Sequence, residues 1–136
     1  MTNYEKKKYL SRYIKLDKRI DLLCEEKTQV LSKALKISPE ISDMPKGGSG
    51  ENQLQSAVER MLEIEDEINV CIDELVFERK CIESCIETLE NETLQILMRY
   101  RYLLGWTFEK IAVEMNYSYM HVTRLHGKAL EKIKML

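Results

Sequence analysis

The segment TFEKIAVEMNYSYMHVTRLHGKALEKIK, residues 107–134, contains two helical patterns separated by a three-residue interruption. Thr107 is a suitable N-cap for the first helix, because its hydroxyl can accept a hydrogen bond from a backbone N–H group of the first turn. Within the interruption, Asn116 tolerates the left-handed conformation, and Ser118 can cap a second helix from Tyr119 to about Lys134. A short helix, a tight turn and a longer helix together predict a helix-turn-helix.

The apolar residues of these two helices fall on one face of each. The first face holds Ile111, Ala112 and Met115, and the second holds Val122, Leu125, Ala129, Leu130 and Ile133. Packing the two faces together buries both, and the small side chain of Ala112 lets the helices approach closely. In this geometry the second helix can lie in the major groove of duplex DNA while the first braces it.

The outward face of the second helix then offers side chains to double-stranded DNA. Residues near its N-terminus are suited to contact base edges, and the lysines farther along are suited to contact phosphates. The two capping residues, Thr107 and Ser118, are also predicted to contact DNA. The predicted DNA contacts are Thr107, Ser118, Tyr119, Met120, His121, Thr123, Arg124, Lys128 and Lys132. From residue 116 to 136, four basic residues stand against Glu131 alone, which is consistent with an anionic partner.

A further helix precedes this motif. Asn91 is a suitable N-cap with Glu92 in the first turn, and the helix continues toward Gly105. Its pattern is carried by Leu94, Leu97, Met98, Arg101 and Tyr102. We therefore assign residues 91–136 to a C-terminal helix-turn-helix domain.

Residues 1–90 carry two long helical seams, in which apolar residues recur at alternating spacings of four and three. The first seam runs through residues 9–37 and is interrupted only by Lys27, whereas the second runs from Leu54 to Leu89 and is interrupted by Glu65 and Arg79. Ser38-Pro39 and the Pro and Gly residues after it predict a loop over residues 38–53. The chain is therefore predicted to be all-α, with a long antiparallel helical hairpin (coiled coil) before the helix-turn-helix.

Charge supports pairing of the two seams with each other. Residues 1–37 carry ten Lys or Arg against five Asp or Glu, whereas residues 51–92 carry three basic against thirteen acidic side chains. In the antiparallel register that buries both seams, Lys27 lies opposite Glu65, which predicts an ion pair that sets the register. Long heptad patterns are also compatible with pairing between two chains, so a homodimer stays an open alternative.

Composition and cysteine use limit the class of protein. The chain has 136 residues, of which 44% are hydrophobic and 32% are charged, as in a globular protein. It contains no run of eighteen apolar residues and no N-terminal signal-peptide pattern, so we expect a cytoplasmic location without membrane insertion. The four cysteines lie within helical patterns and are expected to be reduced thiols.

The cysteines, histidines and acidic residues do not form a pattern typical of a catalytic or metal-binding site. Cys81 and Cys85 share a helical face, but no histidine lies near them, and reduced cysteines commonly pack as small hydrophobes. His121 and His126 stand five residues apart without an evident acidic partner, although His121 suits a DNA contact. The acidic residues lack the Glu-x-x-His pairing of di-metal helical bundles. We expect a protein that is not an enzyme and needs no cofactor.

The stretch Leu94–Ile133 resembles the fourth conserved region of bacterial sigma factors. The resemblance is carried by Tyr100-Arg101-Tyr102, by Trp106–Ala112 and by Val122–Ile133. The whole chain, including the loop Asp43–Gly48, resembles a family of phage and prophage proteins from Gram-positive bacteria and is similar to phage late-gene transcription activators. Tyr119, His121 and Thr123 stand where sigma factors carry basic residues.

The resemblance implies a sequence-specific DNA-binding regulator of phage or prophage transcription that contacts RNA polymerase. It places base and phosphate contacts at the N-terminal part of the last helix, and a backbone contact at Lys128. Two alternatives stay open on the sequence. One is a DNA-packaging protein similar to phage small terminases, and the other is an adaptor that binds polymerase without recognising DNA.

Overall fold

The computed structural model describes the backbone of residues 1–43 and 48–136, and the side chains of residues 1–36 and 52–136. Every regular element in these ranges is an α-helix, so the predicted all-α class is confirmed. The helices are α1 (Asn3–Leu10), α2 (Arg12–Asp43), α3 (Gly48–Glu87), α4 (Glu92–Tyr102), α5 (Phe108–Met115) and α6 (Tyr119–Lys132). None of these described helices has the length and apolar character needed to cross a membrane.

The N-terminal helical segment is divided at Ser11, so the prediction of one uninterrupted helix through residues 9–37 is wrong there. The Ser11 hydroxyl donates a hydrogen bond of 2.7 Å to the carbonyl of Lys7, one turn earlier. A hydroxyl bonded to the i−4 carbonyl tends to bend a helix. For this reason α1 ends at Leu10 and α2 starts at Arg12.

The predicted loop over residues 38–53 is too long. α2 continues through Pro39 to Asp43, and α3 begins at Gly48. Proline removes one backbone donor, but the N–H groups on either side of it can still bond to earlier carbonyls, so a long helix can tolerate the loss. The remaining part of the predicted loop, residues 44–47, lies outside the described residues.

The chain forms two compact units. The hairpin unit consists of Lys18–Asp73, and the helix-turn-helix unit consists of Met1–Asp17 together with Glu74–Leu136. Both α2 and α3 contribute residues to each unit. The helix-turn-helix unit therefore also includes residues 1–17 and 74–90, which were predicted to belong to the hairpin.

In the hairpin unit, α2 and α3 run antiparallel and meet along a narrow apolar seam. Its members are Leu23, Ile64 and Cys71, which are buried, and Ile20, Val30 and Ile68, which are partly buried. Lys27 Nζ lies 2.7 Å from Glu65 Oε1, which confirms the predicted ion pair. Because the two side chains remain 35% and 45% exposed, this pair marks the register at the edge of the seam and is not a buried charge pair.

The helix-turn-helix unit has a larger core, to which α1, α3, α4, α5 and α6 all contribute. Its buried members are Leu10, Ile82, Cys85, Ile86, Leu89, Leu94, Leu97, Met98, Tyr102, Leu103, Ile111, Ala112, Val122, Ala129, Leu130 and Ile133. At its edge Arg79, the second break in the α3 seam, donates a hydrogen bond of 3.0 Å to the Tyr13 hydroxyl. Arg79 Nε also lies 2.7 Å from Glu83 Oε1, so this cation has an acidic partner on α3 and a hydroxyl partner on α2.

Local signals at both ends of α4 act as the sequence predicts. Asn91 Oδ1 accepts hydrogen bonds from the N–H groups of Thr93 and Leu94, so it is the N-cap. After the helix, Gly105 has a φ of 72°, a conformation that side chains disfavour. A Cβ there would also lie 3.2 Å from Ile14 Cδ1, so this turn has little room for another residue type.

α1 packs against the C-terminal end of α6. Lys6 Nζ donates a hydrogen bond of 2.6 Å to the carbonyl of Leu130 and one of 3.4 Å to the carbonyl of Ile133. A cation at this position satisfies carbonyls that have no partner within the helix, and it also complements the negative end of the helix dipole. α1 therefore stabilises the last turn of α6.

Candidate DNA-binding surface

The turn between α5 and α6 is built from local hydrogen bonds. Thr107 Oγ1 accepts a bond of 3.2 Å from the Lys110 N–H, and Ser118 Oγ accepts one of 3.1 Å from the His121 N–H. Between them, Asn116 adopts the left-handed conformation, with φ 58° and ψ 41°. The two predicted caps and the predicted left-handed residue are all confirmed.

The orientation of α6 against α5 is fixed by core packing. Ile111 and Val122 are completely buried, and the small Ala112 is 6% exposed. The N–H of Tyr117 donates a hydrogen bond of 2.9 Å to the carbonyl of Ala112, which closes the turn. The predicted apolar stripe of α6 is buried except for Leu125, which is partly exposed, and the helix ends at Lys132 instead of Lys134.

Four predicted contact residues form an exposed row along α6, here called the outer row. They are Met120, Arg124, Lys128 and Lys132, which follow one another at intervals of four residues. Successive members are turned by about 40° around the helix axis, so the row winds across the exposed face of α6 with one apolar and three cationic side chains, and the exposed Glu131 lies on the same face. Tyr119 is also exposed, at 49%, and its ring meets Phe108 edge to face at 6.4 Å.

The remaining predicted contacts have intramolecular partners. Thr107 and Ser118 use their hydroxyl oxygens as helix caps. Thr123 donates a hydrogen bond of 2.9 Å to the carbonyl of Met120, and the His121 ring meets Tyr117 edge to face at 4.7 Å. These residues border the outer row and help to hold α6 in place, and their contact with DNA stays a prediction.

The N-terminal end of α6 is electrostatically suited to an anion. Its described first turn contains no acidic residue, whereas the first turn of α5 contains Glu109. Backbone N–H groups without helical partners and the positive end of the helix dipole both point out of this end. A phosphate oxygen placed there would meet backbone donors, and no acidic side chain of the first turn of α6 would oppose it.

His126 lies on the inner face of α6 and is a buried structural residue. It is 6% exposed, and its Nε2 lies 2.6 Å from the hydroxyl of Tyr102 on α4. Burial, with a further contribution from the charges of Lys7 and Arg101, lowers the pKa of His126 to about 4. Burial raises the pKa of Tyr102 to about 12, so both groups are neutral at pH 7.

Aromatic and cationic side chains join α4 to the start of α5. The rings of Tyr100 and Trp106 stack at 4.4 Å with 7° between their planes, and Lys110 Nζ lies 4.2 Å from the centre of the Trp106 ring. Arg101 lies 4.1 Å over the Phe108 ring and donates a hydrogen bond of 3.0 Å to the carbonyl of Trp106. These contacts hold α5 against α4.

The contact of α1 with α6 does not follow from the sequence pattern. Lys6 reaches α6 and Lys7 lies close enough to influence His126, yet both are more than a hundred residues away from it in the chain. The one available signal was the basic run Lys6-Lys7-Lys8. A charge run does not reveal which surface it will border.

Metal-binding groups show no clustering in the described part of the chain. No three His, Cys, Asp or Glu side chains there are arranged to hold a metal ion. Cys85 is buried in the core and Cys81 is partly buried, and both are free thiols. The chemistry available on α6 is therefore hydrogen bonding, charge and apolar contact.

Comparison with known families covers the C-terminal part of the chain. Residues 85–135 match the family model described as Sigma-70, region 4. No curated protein and no solved structure gives a significant match. The matched range contains all of α4, α5 and α6 with the outer row. Residues 85–135 are thus similar to sigma-70 region 4, and within them α5, the turn at Asn116 and α6 form a helix-turn-helix.

Proposed function

We propose that this protein binds duplex DNA sequence-specifically through α6 and regulates transcription of phage or prophage genes, with RNA polymerase as a second partner. The observation that carries the proposal is the outer row on α6, which lies within the segment that matches sigma-70 region 4. In this proposal the protein acts by binding, without enzymatic activity and without a cofactor.

The side chains of the outer row match what DNA presents in the major groove. The guanidinium of Arg124 can donate two hydrogen bonds to a guanine edge, and Met120 offers an apolar surface to a thymine methyl group. Lys128 and Lys132 lie farther from the N-terminus and suit phosphates of the flanking strand. Base recognition is thus assigned to the first turns of α6 and backbone contact to the later ones.

The charge of this surface favours help from a second contact. Residues 116–136 carry four basic side chains against Glu131, which gives few phosphate contacts. The strongly acidic segment, residues 51–92, repels DNA and is the natural candidate for contact with a basic surface on RNA polymerase. A homodimer would meet the same need by doubling the number of α6 helices on the DNA.

A binding assay on randomised duplexes, followed by measurement of affinity at several salt concentrations, tests the proposal. The wild-type chain should select a preferred sequence, and Arg124→Ala should weaken binding to it by about 1–3 kcal/mol, or roughly 5- to 150-fold. Arg19→Ala removes an exposed arginine from the hairpin unit and serves as the matched control. Binding that shows neither sequence preference nor salt dependence would refute the proposal.

The same variants separate the two alternative functions. If Arg124→Ala and Lys128→Ala leave regulation unchanged while polymerase binding persists, the protein is an adaptor that does not read DNA. If the chain forms ring-like oligomers in sedimentation experiments, the result favours a DNA-packaging protein over a transcription regulator. A monomer or a dimer is the state expected of the regulator.

A further inference from the structure

A cationic cleft lies beside α6, within the helix-turn-helix unit. Its volume is about 430 Å³, and α1, α4, α5 and α6 contribute to its walls. The residues that matter here are Asn3, Lys7, Arg101, Thr123, His126 and Gly127. None of the described residues that line the cleft is acidic, and His126 is neutral at pH 7, so Lys7 and Arg101 determine its charge.

Both cations remain available to a ligand. Among the side chains that the structure describes, no carboxylate forms an ion pair with Lys7 or with Arg101. One N–H of Arg101 bonds to the Trp106 carbonyl, which holds the guanidinium in place and leaves further donors free. Lys7 is exposed, and its helix is fixed to α6 by the neighbouring Lys6.

Gly127 lines the cleft and leaves empty space where another residue would have a side chain. A Cβ added there would meet no atom within 4 Å, and the residue lies inside α6 with an ordinary helical φ. Glycine inside a helix costs roughly 1 kcal/mol relative to alanine, and neither packing nor backbone conformation requires it at this position. The glycine keeps room for a ligand next to Thr123, one helical turn earlier.

The position of the cleft identifies its ligand. An α-helix with its side chains is about 10–12 Å wide and the major groove is about 12 Å wide, so a helix in the groove has a phosphate backbone on each flank. Thr123 and Gly127 lie on one flank of α6, between the outer row and the core. We propose, resting on the function proposed above, that this cleft binds a backbone phosphate of the DNA duplex through Lys7 and Arg101.

Removal of the Lys7 charge is the direct test. The probe is a 30-base-pair duplex of mixed sequence, titrated at several salt concentrations. Lys7→Gln should weaken binding several-fold and should reduce the slope of log K against log salt by about one. Lys8→Gln is the matched control, because Lys8 is the next residue of α1 but borders a different depression, formed with Glu5, Tyr9, Arg12 and Lys15. It should leave the slope unchanged.

A second pair of variants changes the cleft from the α6 side. Because Gly127 faces open space, Gly127→Glu and Gly127→Gln differ in charge while adding the same bulk. The glutamate variant should bind the duplex about tenfold more weakly than the glutamine variant at low salt. Equal affinities would contradict a phosphate in the cleft.

The outcomes separate this inference from the proposed function. If the wild-type chain shows no salt-dependent binding to the duplex, both fail. If it binds and Arg124→Ala weakens binding, but Lys7→Gln behaves like Lys8→Gln, only the cleft inference is overturned. If inorganic phosphate at constant ionic strength stabilises the wild-type chain but not Lys7→Gln, while the DNA salt slope is the same for both, the cleft binds a free anion and the inference is also wrong.

Discussion

The two compact units are stabilised in different ways. In the helix-turn-helix unit, sixteen buried side chains form one core, whereas the described apolar cluster of the hairpin unit contains three buried side chains. The hairpin unit instead carries ion pairs at its surface, such as Lys27–Glu65 and Arg60–Glu26. Since exposed ion pairs contribute little, most of the stability of the chain is expected to lie in the helix-turn-helix unit.

This difference fits the tasks proposed for the two units. A helix that reads base edges has to be held in one orientation, because small displacements break directional hydrogen bonds. A surface that attracts a partner by charge tolerates more movement, because Coulomb energy varies gradually with distance. Elements with few buried contacts also open at a lower free-energy cost than a well-packed core. The hairpin unit is therefore expected to open first.

The largest expected effect comes from Leu97, which is completely buried on α4. Leu97→Ala should lower the free energy of unfolding by about 2–5 kcal/mol, because it leaves a cavity among many neighbours. Urea denaturation followed by circular dichroism measures this change. Ile96→Ala, at a 45% exposed position on the same helix, is the control and should change stability by about 0.5 kcal/mol or less.

The same truncation in the hairpin unit tests the comparison. Ile64 is also completely buried, but its seam has few buried members. Ile64→Ala should therefore cost less than Leu97→Ala and should leave DNA binding by α6 intact. If Ile64→Ala is the more damaging of the two, the distribution of stability described above is wrong.

The next prediction concerns how the stability of the helix-turn-helix unit depends on pH through the buried His126. The pKa of His126 falls from 6.5 to about 4 on folding. Between these two pH values, the histidine is protonated in the unfolded state and neutral in the folded state. The stability linked to His126 is thus complete above pH 6.5 and declines as the pH falls toward 4, by roughly 3 kcal/mol in total. His126→Gln should remove this part of the pH dependence in denaturation experiments.

The control for the pH titration is His121→Gln, which removes the only other histidine in the chain. That variant should retain the decline between pH 6.5 and pH 4. An equal loss of pH dependence in both variants would show that the buried Tyr102–His126 contact is not its source.

The smallest expected effect concerns the Lys27–Glu65 ion pair. A double-mutant cycle with Lys27→Ala and Glu65→Ala should give a coupling energy of about 0.2–1 kcal/mol, because both side chains are partly exposed. The exchanged variant, with Lys27→Glu and Glu65→Lys, should recover most of the stability lost by either charge reversal alone. Coupling above about 2 kcal/mol would give the hairpin seam a larger share of the stability than we infer.

Local chemistry explains what could be predicted from the sequence. Thr107, Asn116 and Ser118 act on backbone groups within three or four residues, so their roles can be inferred without knowing the rest of the fold. The Lys27–Glu65 contact was predictable because two regular seams, once placed antiparallel, admit few registers. Both inferences depend only on helical geometry and residue type.

Contacts between distant segments explain what could not be predicted. Lys6 bonds to the carbonyl of Leu130, 124 residues away, and His126 bonds to Tyr102 on another helix. No spacing rule connects such pairs. The helix through Pro39 was missed for a different reason, because proline is a strong but not absolute signal for the end of a helix.

The stacked pair of Tyr100 and Trp106 makes the two units separable by spectroscopy. Trp106 is the only tryptophan of the chain and sits at the turn between α4 and α5, so its fluorescence reports on the helix-turn-helix unit. The hairpin unit holds nearly half of the described helical residues, so its opening would remove a large part of the far-ultraviolet ellipticity. If the hairpin unit opens first, helical signal will be lost before tryptophan emission changes. The protein thus carries an intrinsic probe placed in one unit alone.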